Sequence, residues 1–196
     1  MEPLVILDNG HGKETMGKAS PLWSDGTQLL EYEFNRDVVK RIVKGLTTLD
    51  IKCVVLVPEA IDIYLRVRCD RANAIFKNNP SAFLISVHGN AGGGKGWEVF
   101  TSPGQTKSDK IASILFDAAK NELKEFRMRS DYCDEDPDKE SEFTILVKTD
   151  CPAVLTENLF YDNEVECKFM MSDEGRDRIA KLHIMGIQNY IKTLKP

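Results

Sequence analysis

The chain has 196 residues, 42% hydrophobic and 29% charged, enough for one medium core and too polar for a membrane-embedded protein. Its net charge of -5 excludes the basic footprint of a general nucleic-acid binder. No stretch approaches the ~20 apolar residues of a membrane helix, and Met1 to Asp8 lacks the basic and apolar segments of a secretion signal. The expectation is a monomer made in the cytoplasm, with no membrane or nucleic-acid partner.

Apolar runs alternate with helical patterns along the whole chain, and no repeat or linker divides it. This predicts an α/β fold in a single domain, with a mostly parallel or mixed sheet of about six strands flanked by helices on both faces. Leu4 to Leu7 reads as a buried strand ending at the Gly-bounded loop Asp8-Asn9-Gly10-His11-Gly12. Leu29 to Thr48 reads as a helix, with Phe34, Val38, Ile42 and Leu46 spaced four apart. Val54 to Val57 is a second strand, Tyr64 to Lys77 a second helix, and Phe83 to Val87 a third strand running into His88-Gly89-Asn90. Trp97 to Thr101 reads as a short strand near a sheet edge, and Ser108 to Phe126 as a helix. Tyr132 to Glu142 is an acidic loop; its run Asp134 to Asp138 lacks the spacing and central glycine of a calcium loop. Phe143 to Val147 and Ala153 to Thr156 read as two further strands, and Ser172 to Leu194 as the last helix.

The five cysteines, Cys53, Cys69, Cys133, Cys151 and Cys167, are odd in number and widely spaced, with no Cys-x-x-Cys pair. Free thiols in a reducing compartment are the expectation. A thiol hydrolase using Cys151 or Cys69 is poorly served. The first precedes its strand, at the end away from the histidine loops, and the second lies within a helix.

Of three histidines, His11 and His88 directly follow strands and stand next to glycines, as Gly10-His11-Gly12 and His88-Gly89. Ligand sites in open α/β sheets gather at the carboxyl ends of strands, so these imidazoles can meet at one rim. A catalytic zinc takes three protein ligands and leaves one position open. Glu31, at the start of the first long helix, is a candidate third ligand, and Glu33 is equally placed by spacing. Glu157 ends an apolar strand at the same rim, where a carboxylate beside a metal can move protons. His183, inside the last helix, reads as a surface or partly buried helix residue.

These residues resemble the zinc N-acetylmuramoyl-L-alanine amidases of the amidase 3 type, phage endolysins included. Ile6-Leu7-Asp8-Asn9-Gly10-His11-Gly12 looks like the opening strand with the first zinc histidine. Leu30-Glu31-Tyr32-Glu33-Phe34-Asn35 looks like the glutamate segment, whose ligand stands four residues before an Asn, which selects Glu31. Leu65 to Asn73 resembles the family's Leu…Arg…Ala-Asn helix, Leu84 to Ala91 the strand carrying the second histidine, and Pro152 to Glu157 the closing segment with the catalytic glutamate. Phe160 and Asn163 fit the family's pattern just beyond that glutamate. The segments keep the family's order over roughly residues 4 to 192.

The chain departs from the pattern at Asn9, usually proline, at Gly12-Lys13-Glu14, usually Gly-Asp, and at Asn158-Leu159, often Thr or Ser and then Gly. The resemblance implies one Zn2+ on His11, Glu31 and His88, and Glu157 as general base and acid. The substrate it implies is peptidoglycan, cleaved between N-acetylmuramic acid and L-alanine. Lys95, beside the Gly92-Gly93-Gly94 turn, and Arg68 or Arg66 are candidate contacts for the carboxylates of the stem peptide. The alternatives are a zinc peptidase cutting within the stem peptide and a wall-binding module without catalysis.

Overall fold

The structure, a computed structural model, describes residues 1–133 and 135–194; Asp134 of the acidic loop and the last two residues lie outside them. In chain order the elements are β1 (Leu4–Asn9), α1 (Glu31–Thr48), β2 (Cys53–Val55), α2 (Leu65–Asn78), β3 (Ala82–Asn90) and β4 (Trp97–Thr101). They continue with α3 (Lys107–Glu122), β5 (Lys139–Glu140), α4 (Thr144–Val147), β6 (Ala153–Phe160), α5 (Glu164–Met171) and α6 (Asp173–Thr193). The strands form one mixed sheet in the order β2-β1-β3-β6-β4-β5. Its first four members run parallel, β4 is antiparallel to β6, and the short β5 is parallel to β4. No described helix is long and apolar enough to cross a membrane.

Strand alternation divides the core in two. Val5, Leu7, Phe83, Ile85, Val87, Val99 and Val154 point into a large cluster with α1, α3 and α6. Ile6, Leu84, Ala153 and Leu155 point the other way, into a smaller cluster with α2 and α4. The four-spaced stripe of α1 behaves as its pattern predicts: Phe34, Val38, Ile42 and Leu46 are all fully buried. Where α6 crosses α3, Gly186 permits the approach, since a Cβ there would meet Leu115 Cδ2 at 2.5 Å. On the smaller-cluster side, the apolar residues give way toward the carboxyl ends to Asp8, Ser86, His88 and Glu157, and the functional site is built there.

Four expectations need correction. Phe143 to Val147 is no strand: Thr144–Val147 forms one helical turn. Its β-branched residues favour a strand, but the adjacent Ile145 and Leu146 are both buried, which one turn against α2 and β6 allows and a half-buried strand does not. The sixth strand is instead β5, inside the acidic loop. α5 precedes the last helix, capped by Asn163, whose side chain accepts from the Glu166 N–H. Finally, β6 runs past Thr156 to Phe160, so Glu157 lies within a strand.

That extension contains a bulge. Between the pairs His88↔Glu157 and Asn90↔Phe160, β6 spends one residue more than β3. Leu159 absorbs it with a φ of 70°, a left-handed conformation that glycine adopts freely and a leucine only at about 1–2 kcal/mol. Its side chain is fully buried, which offsets that cost.

The fourth correction is His183, which is fully buried. Its Nδ1 donates to the Ile179 carbonyl at 2.7 Å, leaving Nε2 to accept from the Thr156 hydroxyl at 2.9 Å. Burial pushes its pKa down from 6.5 to about 4. The folded chain therefore binds fewer protons than the unfolded chain in that window, and stability falls as pH drops through it while staying flat above. Urea unfolding at pH 7 and pH 5 should show a larger loss for the native chain than for His183→Gln; equal losses would remove His183 as the cause.

Candidate metal centre

β1, β3 and α1 bring the three expected ligands together. His11 Nε2 lies 3.3 Å and His88 Nδ1 3.2 Å from the same oxygen, Glu31 Oε1. The two rings stand edge to face with centroids 5.0 Å apart. One ligand atom from each residue falls within 4.8 Å of the others, and among the described residues this is the one such cluster. Glu33, left open by spacing, is exposed and accepts from the Tyr32 hydroxyl instead.

Two glycines make the approach possible, by a route other than turning. A Cβ on Gly10 would sit 2.0 Å from His88 Cε1, and one on Gly12 2.1 Å from the Asp62 backbone nitrogen. The left-handed residue is His11 itself, with φ 63°. Such strain persists only where surroundings over-determine it. Here Asn35, one turn along α1 from Glu31, donates Nδ2 to the Gly10 carbonyl at 3.0 Å, and Arg36 and Arg68 donate to the His11 carbonyl at 2.9 and 3.2 Å.

A hydrogen-bond chain beneath the site fixes the His88 tautomer. Arg68 Nη1 donates to Asp8 Oδ1 at 2.7 Å, and the Ser86 hydroxyl donates to Asp8 Oδ2 at 2.6 Å. Ser86 Oγ is therefore left to accept from His88 Nε2, 3.1 Å away. With Nε2 turned to Ser86, Nδ1 is the ring nitrogen directed at Glu31 and the one placed to meet a metal. On the other side, Asn158 Nδ2 donates to the His88 carbonyl at 2.9 Å while its Oδ1 accepts from Trp97 Nε1.

Electrostatics favour a cation in the cluster. Burial alone would raise the Glu31 carboxyl, but hydrogen bonds and charge from His11 and His88 outweigh it and hold the group well below the usual carboxylate range. For His88 the balance tips the same way: burial lowers it, and Glu31 more than restores it. Glu31 Oε2 is buried without a hydrogen-bond partner; Lys18 Nζ stands 3.8 Å away. Two imidazoles and a carboxylate are a borderline donor set suited to zinc. Bond lengths of ~2.0–2.1 Å would separate tetrahedral ligand atoms by roughly 3.3–3.4 Å, close to the separations from Glu31. The residues fit the ion.

Glu157 is the register partner of His88 on the neighbouring strand and faces the same side. It is partly buried, its Oε2 has no hydrogen-bond partner, and burial pushes its carboxyl up to about 8. Both residues line a cleft of about 710 Å³ shared with His11, Lys18, Tyr64, Leu65, Phe143 and Ile145. Arg68 borders the cleft too, but it is 2% exposed. Its Nε is bound to the Ile63 carbonyl, and its Nη groups to Asp8, Asn9, His11 and Asp62. It is committed to supporting the histidine loops. Lys95 is exposed and outside the cleft lining, as is Arg66, and the cation that borders the cleft beside Glu31 is Lys18. The Gly92-Gly93-Gly94 turn is tied down by Asp162 Oδ2, which accepts from the Gly92 and Gly93 N–H groups at 2.7 Å.

No disulfide joins the cysteines among the described residues. Cys151 lines a separate cavity of about 740 Å³ together with Met1, Pro3 and Pro152, and burial pushes its thiol up to about 12. Cys69 is buried against the Thr144 carbonyl, and burial raises its thiol also. Neither is an activated nucleophile.

Removing the Ser86 hydroxyl frees the His88 ring to rotate and change tautomer. Ser86→Ala is expected to weaken zinc binding by about 10–100-fold, measured by competition with a chromophoric chelator; unchanged affinity would exclude this support role.

A family model described as N-acetylmuramoyl-L-alanine amidase, amidase 3, matches residues 5–189. The endolysin of Bacillus phage SPP1 is 28% identical over 201 residues, covering 100% of this chain and 68% of that protein. The sporulation-specific N-acetylmuramoyl-L-alanine amidase of Bacillus subtilis (strain 168) is 26% identical over 198 residues, covering 97% and 69%. Among solved structures, an N-acetylmuramoyl-L-alanine amidase from Clostridium difficile 630 superposes with a TM-score of 0.84 at 24% identity, over 99% of both chains.

Proposed function

The chain belongs to the amidase 3 family of N-acetylmuramoyl-L-alanine amidases, and on that premise we propose that it hydrolyses the amide joining N-acetylmuramic acid to L-alanine in peptidoglycan, with one zinc ion held by His11, Glu31 and His88. The observation that carries this reading is the convergence of those ligand atoms within 4.8 Å beside the partly buried Glu157 on the adjoining strand, whose Oε2 has no hydrogen-bond partner among the described residues. The match of the whole chain to a phage endolysin supports action on a bacterial wall as a lysin.

When bound, the ion supplies Lewis acidity toward the scissile carbonyl and the attacking water. Glu157 takes the proton from that water as it attacks the lactyl carbonyl, then delivers it to the departing alanine nitrogen. Its environment suits both tasks. Burial holds the carboxyl high, while a cation among its neighbours draws it toward ionisation near neutral pH. His88 and Glu157 sit directly opposite each other on paired strands, so the sheet ladder sets the spacing of proton carrier and ligand. Tyr64, Leu65, Phe143 and Ile145 give the cleft apolar walls against which the substrate can pack. No covalent intermediate is required, in keeping with inert thiols.

The test couples metal analysis to mass spectrometry of digested muropeptides. The chain is expected to carry one zinc per molecule and to release peptides beginning at L-alanine. Glu157→Ala should keep the metal and lose turnover by about 10²–10⁴-fold, and a chelator should abolish activity that alkylation of thiols leaves intact. Peptides cut within the stem would assign a peptidase, sedimentation with the wall without release a binding module, and near-normal turnover of Glu157→Ala would remove its role.

A further inference from the structure

A second polar cluster adjoins Glu157 on the side away from the histidines. Glu98 of β4 is the cross-strand partner of Glu157, so His88, Glu157 and Glu98 form one row across three strands on the same face of the sheet. Glu98 is 3% exposed. Asn90 Nδ2 donates to its Oε1 at 2.6 Å, and its Oε2 receives both Arg129 Nε, at 2.8 Å, and Lys139 Nζ. Two cations thus meet one buried carboxylate, more positive charge than neutralising Glu98 requires.

Both cations lie on the solvent side of the acid, with side chains 28% and 26% exposed. The guanidinium of Arg129 lies 5.2 Å over the Phe160 ring, and Lys139 Nζ is 5.9 Å from the Phe100 ring. The terminal nitrogens of Arg129 have no hydrogen-bond partner among the described residues. Asp131, the other acid whose charge Lys139 feels, is exposed, and its Oδ1 accepts from the Cys133 N–H. The planar fork of Arg129 is therefore held by an aromatic face and a buried acid, with its outer edge open. Such an edge suits a carboxylate, the partner a fork binds most strongly.

We propose that Arg129 and Lys139 form a subsite for the first free carboxylate of the stem peptide beyond the scissile amide, on its second residue. The proposal rests on the amidase reading above and assigns its substrate preference. Two extended residues reach roughly 7 Å, and the cations stand one to two strand spacings, roughly 5–10 Å, from Glu157. Arg129 and Lys139 stand beyond the lining of the cleft, at the far end of the row from His88, so the subsite takes a peptide that leaves the scissile bond along that row. Lys139 comes from β5 in the acidic loop, so that loop contributes a specificity element.

Two muramoyl peptides test this, one with a free carboxylate on the second stem residue and one with that group as a primary amide. The zinc-loaded native chain is expected to favour the carboxylate form by about tenfold in kcat/KM, the worth of one charge-assisted hydrogen bond. Arg129→Gln and Lys139→Met should bring the preference to within about twofold. The ratio is unaffected by a general loss of folded protein, and Lys139→Met serves alone if Arg129→Gln does not fold. Calorimetric binding of the corresponding sugar-free peptides to the metal-free chain should show the same preference and the same loss. Equal cleavage of both substrates by the native chain, or variants that slow both and keep the ratio, would overturn the subsite and leave the amidase standing. If the native chain releases peptide from neither, the amidase reading itself fails and the subsite with it.

Discussion

A carboxylate with 1% exposure has lost the water that would stabilise its charge, and Glu31 is in that position. Burying an unpaired charge is costly enough that a group normally neutralises unless partners hold it ionised. Two imidazoles supply those partners, both directed at one oxygen, while the other oxygen has no hydrogen-bond partner among the described residues and a lysine 3.8 Å away. Much of the surrounding structure serves this arrangement. Asn35, Arg36 and Arg68 hold the Gly10–His11 backbone, and Asp8 and Ser86 set the His88 proton. Gly10 leaves room for the ring it faces. The site sets one buried carboxylate between two imidazoles at the ends of the parallel strands.

The sheet gives that concentration a direction. One face is closed by α1, α3 and α6. The other is covered by α2 and the single turn of α4, which leaves a cleft between them over His88 and Glu157. Along the row from His88 through Glu157 to Glu98, the proposed ligand, the proposed proton carrier and a cation-bound acid occur at successive strands. The ladder sets their spacing, and changes in loop sequence leave it unaltered.

The sequence makes the ligands legible because their signals are local. His11 and His88 each follow an apolar run and adjoin glycine, and Glu31 stands one turn before Asn35 on a helix with a clear stripe. What supports them is hidden, since Arg68 reaches Asp8 across 60 positions and Ser86 reaches Asp8 across 78. Pattern reading assigns Arg68 to substrate because a helix arginine near a cleft shows its charge but not its partners. The turn at Thr144–Val147 reads as a strand because propensity records β-branching and not which neighbours bury Ile145 and Leu146 together. His183 carries no mark of burial, as its partner Thr156 lies on a distant strand. Nor does alternation reveal β5, whose two residues are too few to show a period.

The left-handed leucine in β6 reaches further than its own backbone. Asn158 and Leu159 both serve the closed face, so Phe160 returns to the open one, where its ring lies beneath Arg129. Straightening the bulge with Leu159 kept would instead turn Leu159 to the open face and carry the aromatic platform to the closed one, with His11, Glu31 and His88 still in place. The left-handed backbone at Leu159 is therefore a determinant of what the cleft can hold, and in relatives the conformation after the matching glutamate deserves comparison as closely as the residue types.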